Sequence, residues 1–327
     1  MKLLKTTLMA FMLLSSCILT ACSNDDENPL PTPETEETIA RLDELKVRFG
    51  NRVQEPLVKF NYDEKDILKS FTVYNYSEEA NDDNVYQLEN TASYSITHEA
   101  KAIIINAQNV YHLDEGHTST NKYKLTLDNN NRVIEKAIYA EDNENIDEIF
   151  TYIWSGNKIT KIIYGDPEDE YADTYSFAYT GNNVQIVSNS SRNDGINEYR
   201  TTDWTLLLHH NTANENLYFQ SLPLEYIFMI DKNGDLLAPY MSDNEITKTE
   251  EEDQYKHFDG FDRLLEDRYN KNTTEYTYNF NESYPSEIAS TFTVYHKTIN
   301  ITDPSFNEEI TSAPKDKKIY PSFSLKK

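Results

Sequence analysis

From about residue 42 onward, apolar and aromatic residues recur at every second position, between short turns rich in Asn, Asp and Gly. A period of two sends alternate side chains to opposite faces of an extended strand, so this chain must build sheets. One unit repeats: an aromatic alternation, an Asn/Asp-containing turn, then a second apolar alternation. It is seen at Phe60-Asn-Tyr62-Asp63 with Ile67-Leu68, at Tyr123 to Ile134, at Tyr152 to Ile159, and at Tyr175 to Val184. It is seen again at Tyr226 to Leu236, at Tyr255 to Leu264, and at Tyr276 to Ile288.

The last residues before the turns are 62, 127, 154, 179, 230, 258 and 280, so the intervals are 65, 27, 25, 51, 28 and 22 residues. A spacing near 25 fits two strands of roughly eight residues plus two turns, one hairpin per unit. The interval of 65 holds one more candidate, Tyr94 to Ile104. The reading is therefore all-β, with about eight hairpins and about sixteen antiparallel strands. Twist accumulates across a sheet of that width, so it must curl into one strongly curved sheet or a barrel-like structure. The best candidate for helix is Glu37 to Leu45, at one or two turns. Asp231-Lys-Asn233-Gly234-Asp235 reads as a tight hairpin turn, because an EF-hand loop needs Gly at its sixth position and Glu at its twelfth, where this chain has Ser242. A membrane-embedded barrel shares the period of two, but the outward positions carry too many Lys, Asp and Glu for an apolar band, and a soluble sheet is expected.

Composition removes several functions. With 30 Lys+Arg against 56 Asp+Glu, the net charge of −26 gives no basis for binding nucleic acid or an anionic lipid surface. Eight glycines, with no GxGxxG and no GxxxxGK[ST], set aside dinucleotide and P-loop chemistry. Two cysteines cannot make a disulfide framework.

Those cysteines belong to an address. Lys2 and Lys5 precede an apolar run from Leu8 to Leu19, and Leu19-Thr20-Ala21-Cys22 follows. This is a secretory signal, 1–21, and the tetrapeptide resembles the bacterial lipobox, which implies a lipidated Cys22 and loss of Cys17. Residues 22–38 then form a tether: Ser23-Asn24-Asp25-Asp26-Glu27 resembles the acidic export signal of surface-exposed Bacteroidetes lipoproteins, a periplasm-facing tether being the alternative. Pro29, Pro31 and Pro33 make the next stretch an extended spacer. Residues 39–327 form the repetitive β domain, whose acidic excess keeps a long-edged sheet soluble.

The Tyr-Asp-x-x-x-x-Leu units resemble degenerate YD (Rhs-type) repeats, although the Gly-Arg pair of full units is missing. With the lipobox and the acidic tether, the chain resembles the Bacteroidetes outer-membrane lipoproteins of unknown function that have a porin-like fold. The likeness covers about residues 40 to 298 and implies a fold and a location, with no activity or functional residues to carry over. Asn216 to Tyr226 resembles that family's mid-domain turn into its second half. Within it, Glu215-Asn-Leu-Tyr-Phe-Gln220-Ser221 also matches the cleavage site of tobacco etch virus protease, by engineering or by chance.

Catalytic patterns are missing from the sequence. There is no GxSxG, HExxH or HxH; His209 and His210 would face opposite ways; no metal ligand set, catalytic residue or cofactor is assigned. Asp166-Pro-Glu168-Asp169-Glu170 and Glu250-Glu251-Glu252-Asp253 read as solvated loops. Most of the 24 tyrosines should be strand packing, and Trp154 and Trp204 are the candidates for stacking on a ligand such as a sugar ring. The expectation is a surface-tethered binding or scaffold module of the cell envelope, held at the outer membrane through Cys22, with a glycan or an envelope protein as partner and no nucleic acid. A glycosidase-like hydrolase using an Asp/Glu pair is the alternative.

Overall fold

The computed structural model describes residues 40–49, 54–77, 87–112, 117–140, 144–169, 172–281 and 284–325. The signal, Cys22 and the tether lie outside them. Strands β1 (Ala40–Phe49), β2 (Glu55–Tyr62), β3 (Leu68–Tyr76), β4 (Leu88–His98), β5 (Ala102–Tyr111), β6 (Thr118–Leu127), β7 (Val133–Tyr139), β8 (Ile146–Ser155) and β9 (Lys158–Tyr164) follow one another as antiparallel neighbours. The series continues with β10 (Asp173–Thr180), β11 (Asn183–Asp194), β12 (Glu198–Glu215), β13 (Asn244–Asp259), β14 (Leu264–Asn281) and β15 (Tyr284–Asn300). Finally β16 (Glu308–Thr311) and β17 (Lys315–Leu325) both pair with β15, Thr311 opposite Tyr295 and Lys315 opposite Phe292, as two pieces of one wall strand. β17 then pairs with β1, Val47 opposite Ile319, and the ring closes. The result is a sixteen-strand antiparallel barrel, as the repeat spacing predicts, and closure removes the free edges that an open sheet of this width would expose.

The turns explain why so few glycines suffice. Asp63, Asp128 and Asp259 each accept backbone N–H bonds from residues two and four positions on, at 2.8–3.0 Å. The left-handed residue of each turn is Asp66, Asn131 or Asp262, with φ of 57–59°, side chains that tolerate this conformation. Arg132 and Arg263 reach back to Asp128 and Asp259. The two-residue turns at Gly156 and Gly181, φ 59° and 60°, take glycine instead.

Inside the barrel, cross-strand rungs such as Phe60–Phe71–Tyr94 and Leu125–Lys136–Phe150 stack apolar bulk on the lumen side. Between β12 and β13 the chain leaves the wall and forms three short helices, α1 (Leu217–Ser221), α2 (Leu224–Ile230) and α3 (Leu237–Tyr240). They plug the lumen. Tyr226 sits edge-on to Phe60 and Phe71 at 5.4 and 5.5 Å, and Phe228 edge-on to Tyr152 at 4.8 Å. Lys136, fully buried on β7, packs over the Phe150 ring and donates to the Asp231 carbonyl at 2.5 Å.

Two sequence expectations are corrected here. Glu37 to Leu45 holds no helix among its described residues, since Ala40–Phe49 is the strand that closes the ring. Tyr226 to Leu236 is not a hairpin but helix, turn and helix. Ile227, Phe228 and Met229 are consecutive, apolar and all buried in the plug, so no one-sided helical period marks the segment. The strand count survives because β1, β12 and the wall strand made of β16 and β17, which belong to no repeat unit, make up for that unit and for the sharing of β14 by the units at Tyr255 and Tyr276. The segment matching a protease site is part of the plug: Tyr218 and Phe219 are buried, and Asn216 donates to the Pro239 and Ser242 carbonyls at 2.5 and 2.9 Å.

The outer wall carries charge where a lipid-facing band would be apolar. On β13 and β14, Lys271 bridges Glu250 and Glu252 at 2.7 and 2.8 Å, and Lys248 also pairs with Glu250, drawing its carboxyl down to about 2. No described helix is long and apolar enough to cross a membrane.

The tightest joint between plug and wall is Gly234, φ 90°, where a Cβ would lie 2.6 Å from Phe177 Cζ. Gly234→Ala should destabilise the chain by roughly 2–4 kcal/mol, read from the midpoint of urea unfolding, through backbone strain and overpacking together.

Candidate functional site

β13 runs through the wall with Thr249, Glu251 and Asp253 pointing into the lumen and Glu250 and Glu252 pointing out. Its register with β12 sets Glu251 opposite Leu206, and its register with β14 sets Glu251 opposite Asn272. Above the plug this arrangement leaves a cavity of about 270 Å³, lined by Leu206, Phe219, Tyr276 and Phe292 among apolar groups and by Asp235, Thr249, Glu251, Asn272 and Thr274 among polar ones. An apolar hollow with a few converging polar groups is the general form of a ligand site.

The two carboxyls differ in their surroundings. Glu251 accepts from Trp204 Nε1 at 2.8 Å on one oxygen and from Asn272 Nδ2 at 3.0 Å on the other. Neither donor is cationic, in contrast to the lysines that clamp Glu250 on the outer face of the same strand. Asp235 projects from the turn between α2 and α3 into the cavity. Protein closing round it strips away water, and Asp231 and Glu251 add negative charge, so its carboxyl is pushed up from 3.8 to about 7. Asp231 is buried behind it and accepts N–H bonds from Gly234, Leu236 and Leu237 at 2.7–2.8 Å. Burial raises Asp231 too, but three backbone donors favour its charged form, so Asp235 is the member of the pair that keeps the proton.

The two tryptophans singled out in the sequence occupy different surroundings with no partner in common. Trp204 is 9% exposed, lies edge-on to Tyr175 at 5.6 Å, and spends its N–H on Glu251. Trp154 is half-buried beside the Gly156 turn, donates to the Val133 carbonyl at 2.7 Å, and has the Arg132 guanidinium over its ring. His209 turns outward to Glu250 and His210 inward to Ser242. Among the described residues no group of His, Cys, Asp and Glu is arranged to hold a metal ion.

The acidic run 250–253 reads as a solvated loop in the sequence but is the middle of a strand. Its inward residues are polar because they face the cavity, so the apolar alternation that would reveal the strand is interrupted there. A second hollow, about 470 Å³, opens at the plug end between Arg41, Tyr62, Pro223 and Glu225. Its charged groups already have partners, Arg41 in Asp43 and Asp66, and Glu225 in a hydrogen bond with His98 at 2.7 Å. The lumen cavity is therefore the candidate site.

No protein-family model and no curated protein sequence matches the chain. Several solved structures are similar to it, two of them porin-like proteins. One is the crystal structure of a porin-like protein from Bacteroides uniformis, with 12% identity, a TM-score of 0.46, and coverage of 86% of this chain and 98% of that one. The other is a porin-like protein from Bacteroides vulgatus, with 10% identity, a TM-score of 0.32, and coverage of 88% and 99%.

The raised carboxyl fixes a sign. Asp235 binds its proton more tightly folded than unfolded, so stability is fully present below its ordinary value near 3.8 and falls as pH rises through about 7. Asp235→Asn should flatten that decline, seen as a melting temperature that changes less between pH 4 and 7 than the unmodified chain's.

Proposed function

We propose that this chain is a lipid-anchored protein of the cell envelope whose barrel is a binding module, with the lumen cavity taking a hydroxyl-rich ligand such as a sugar residue of a glycan. The observation that carries the reading is Glu251: a carboxyl facing a hollow with aromatic walls, oriented from both sides by neutral donors and not matched by any cation. Such a group accepts ligand hydroxyls, while Thr249, Thr274 and Asn272 supply further hydrogen bonds and Tyr276 and Phe292 supply apolar faces. Trp204 then serves chiefly to hold Glu251 in place. The location rests on the lipobox-like Leu19 to Cys22, and it requires that Cys22→Ala abolish incorporation of labelled fatty acid.

A second reading keeps the same cavity for glycoside hydrolysis, favoured by one observation: two carboxyls border it, and Asp235 holds a proton of the kind a general acid donates to a leaving oxygen. Turnover of an aryl glycoside that is lost in Asp235→Asn, with binding retained, would establish it.

The binding reading is tested by a glycan array followed by calorimetry on the best ligand. Glu251→Gln and Trp204→Phe should each weaken binding at least tenfold, while Trp154→Phe should leave it unchanged. An array without binding, or affinities indifferent to Glu251, contradicts a glycan site here.

A further inference from the structure

The long strands β11 to β15 carry three turns to the end of the barrel opposite the plug's connections to the wall. The apolar residues there are strongly exposed: Ile196 at 99%, Phe261 at 82%, Phe306 at 65% and Ile301 at 54%. The three turns touch one another. Gly260 packs against the Asn197 carbonyl, and Ile301 N–H donates to the Leu265 carbonyl at 2.9 Å. They are also held rigid, since Asp259 accepts from the Phe261 and Arg263 N–H groups at 2.9 and 3.0 Å. Asn300 and Asp303 fix the loop before Phe306 in the same way, at 2.8–3.1 Å. Exposed side chains at fixed positions contribute nothing to the core, so their placement calls for a partner.

We propose that this rim enters the surface of a zwitterionic lipid bilayer. The order of side chains away from the tips favours lipid over a protein. Below the apolar tips, on the outer face, Tyr199 and Phe258 stack at 4.7 Å with Arg192 over Tyr199 at 4.0 Å. Next comes the Tyr269–Tyr295 pair, edge-on at 5.9 Å, and then the Glu250, Glu252 and Lys271 ladder. Apolar tip, aromatic and arginine belt, then charge is the depth profile of a shallowly inserted protein. Charge selects the lipid. Arg192, Arg200, Arg263 and Arg268 are each paired with a carboxylate two or four residues away on the same hairpin. The rim therefore has no surplus of cations to overcome the chain's repulsion from an anionic surface, with a net charge of −26. This contact is independent of the anchor at Cys22 and of the lumen site.

The test is flotation of residues 22–327 carrying Cys22→Ser, which cannot be acylated, with phosphatidylcholine vesicles. The unmodified rim should float, and Phe261→Asp with Phe306→Asp should lower the bound fraction at least tenfold. Ile153→Asp, an outward substitution on β8, should change nothing, and melting temperatures should agree throughout. No flotation, flotation unaffected by the rim substitutions, or binding only to phosphatidylglycerol vesicles would overturn the proposal. So would a dimer in sedimentation that the same substitutions split while vesicles bind nothing, which would make the partner a second copy.

Discussion

A ring of sixteen strands encloses more space than the side chains of its own wall can fill. Here that wall is apolar inside, so the lumen must be filled or the barrel would hold water against Leu, Ile and Phe over its whole inner face. The 24 residues from Leu217 to Tyr240 meet this constraint. They bring Tyr218, Phe219, Ile227, Phe228 and Leu237 into contact with wall residues from β1 round to β15, so that plug and wall form one core. Much else follows from this insertion. Lys136 is buried because a plug carbonyl is there to receive it, and Gly234 is a glycine because Phe177 leaves no room.

The same constraint creates the cavity. The plug is attached at one end and reaches only part of the way along the barrel, whereas β12 to β15 run on for 16–18 residues each. Beside the plug's end the inner face of these strands changes from apolar to polar, and Glu251, Asn272 and Thr249 appear where Leu or Ile would stand lower down. Asp235 is delivered by the plug itself. Its proton affinity is a consequence of position, as it sits between a buried carboxylate that caps the next helix and the open lumen.

The wall was legible in the sequence because antiparallel strands with one buried face keep their period of two, and because turns marked by Asp, Asn and Gly recur, most of them about 25 residues apart. Asn131-Arg132 and Asp262-Arg263 each join a left-handed residue to an arginine that pairs back with the first Asp of its turn. The plug was not legible, because Tyr226 to Ile230 is an unbroken run of large, largely apolar side chains and a short buried helix shows the same run as a buried strand. The site was hidden for the opposite reason. Glu250 to Asp253 shows no apolar alternation, and only the register with β12 and β14 reveals that every second acid turns inward to an indole or a carboxamide. Trp204 was singled out for its ring and matters here for its N–H.

The chain carries its own reporter for the central claim that the plug is seated in the lumen. Glu215 to Ser221 is a recognition sequence for tobacco etch virus protease, yet its Tyr218 and Phe219 are buried and its backbone is helical. A protease that needs an extended, accessible segment should leave the native chain intact while cutting the unfolded chain between Gln220 and Ser221. Prompt cleavage of the native chain at that bond would contradict a plug held inside the barrel.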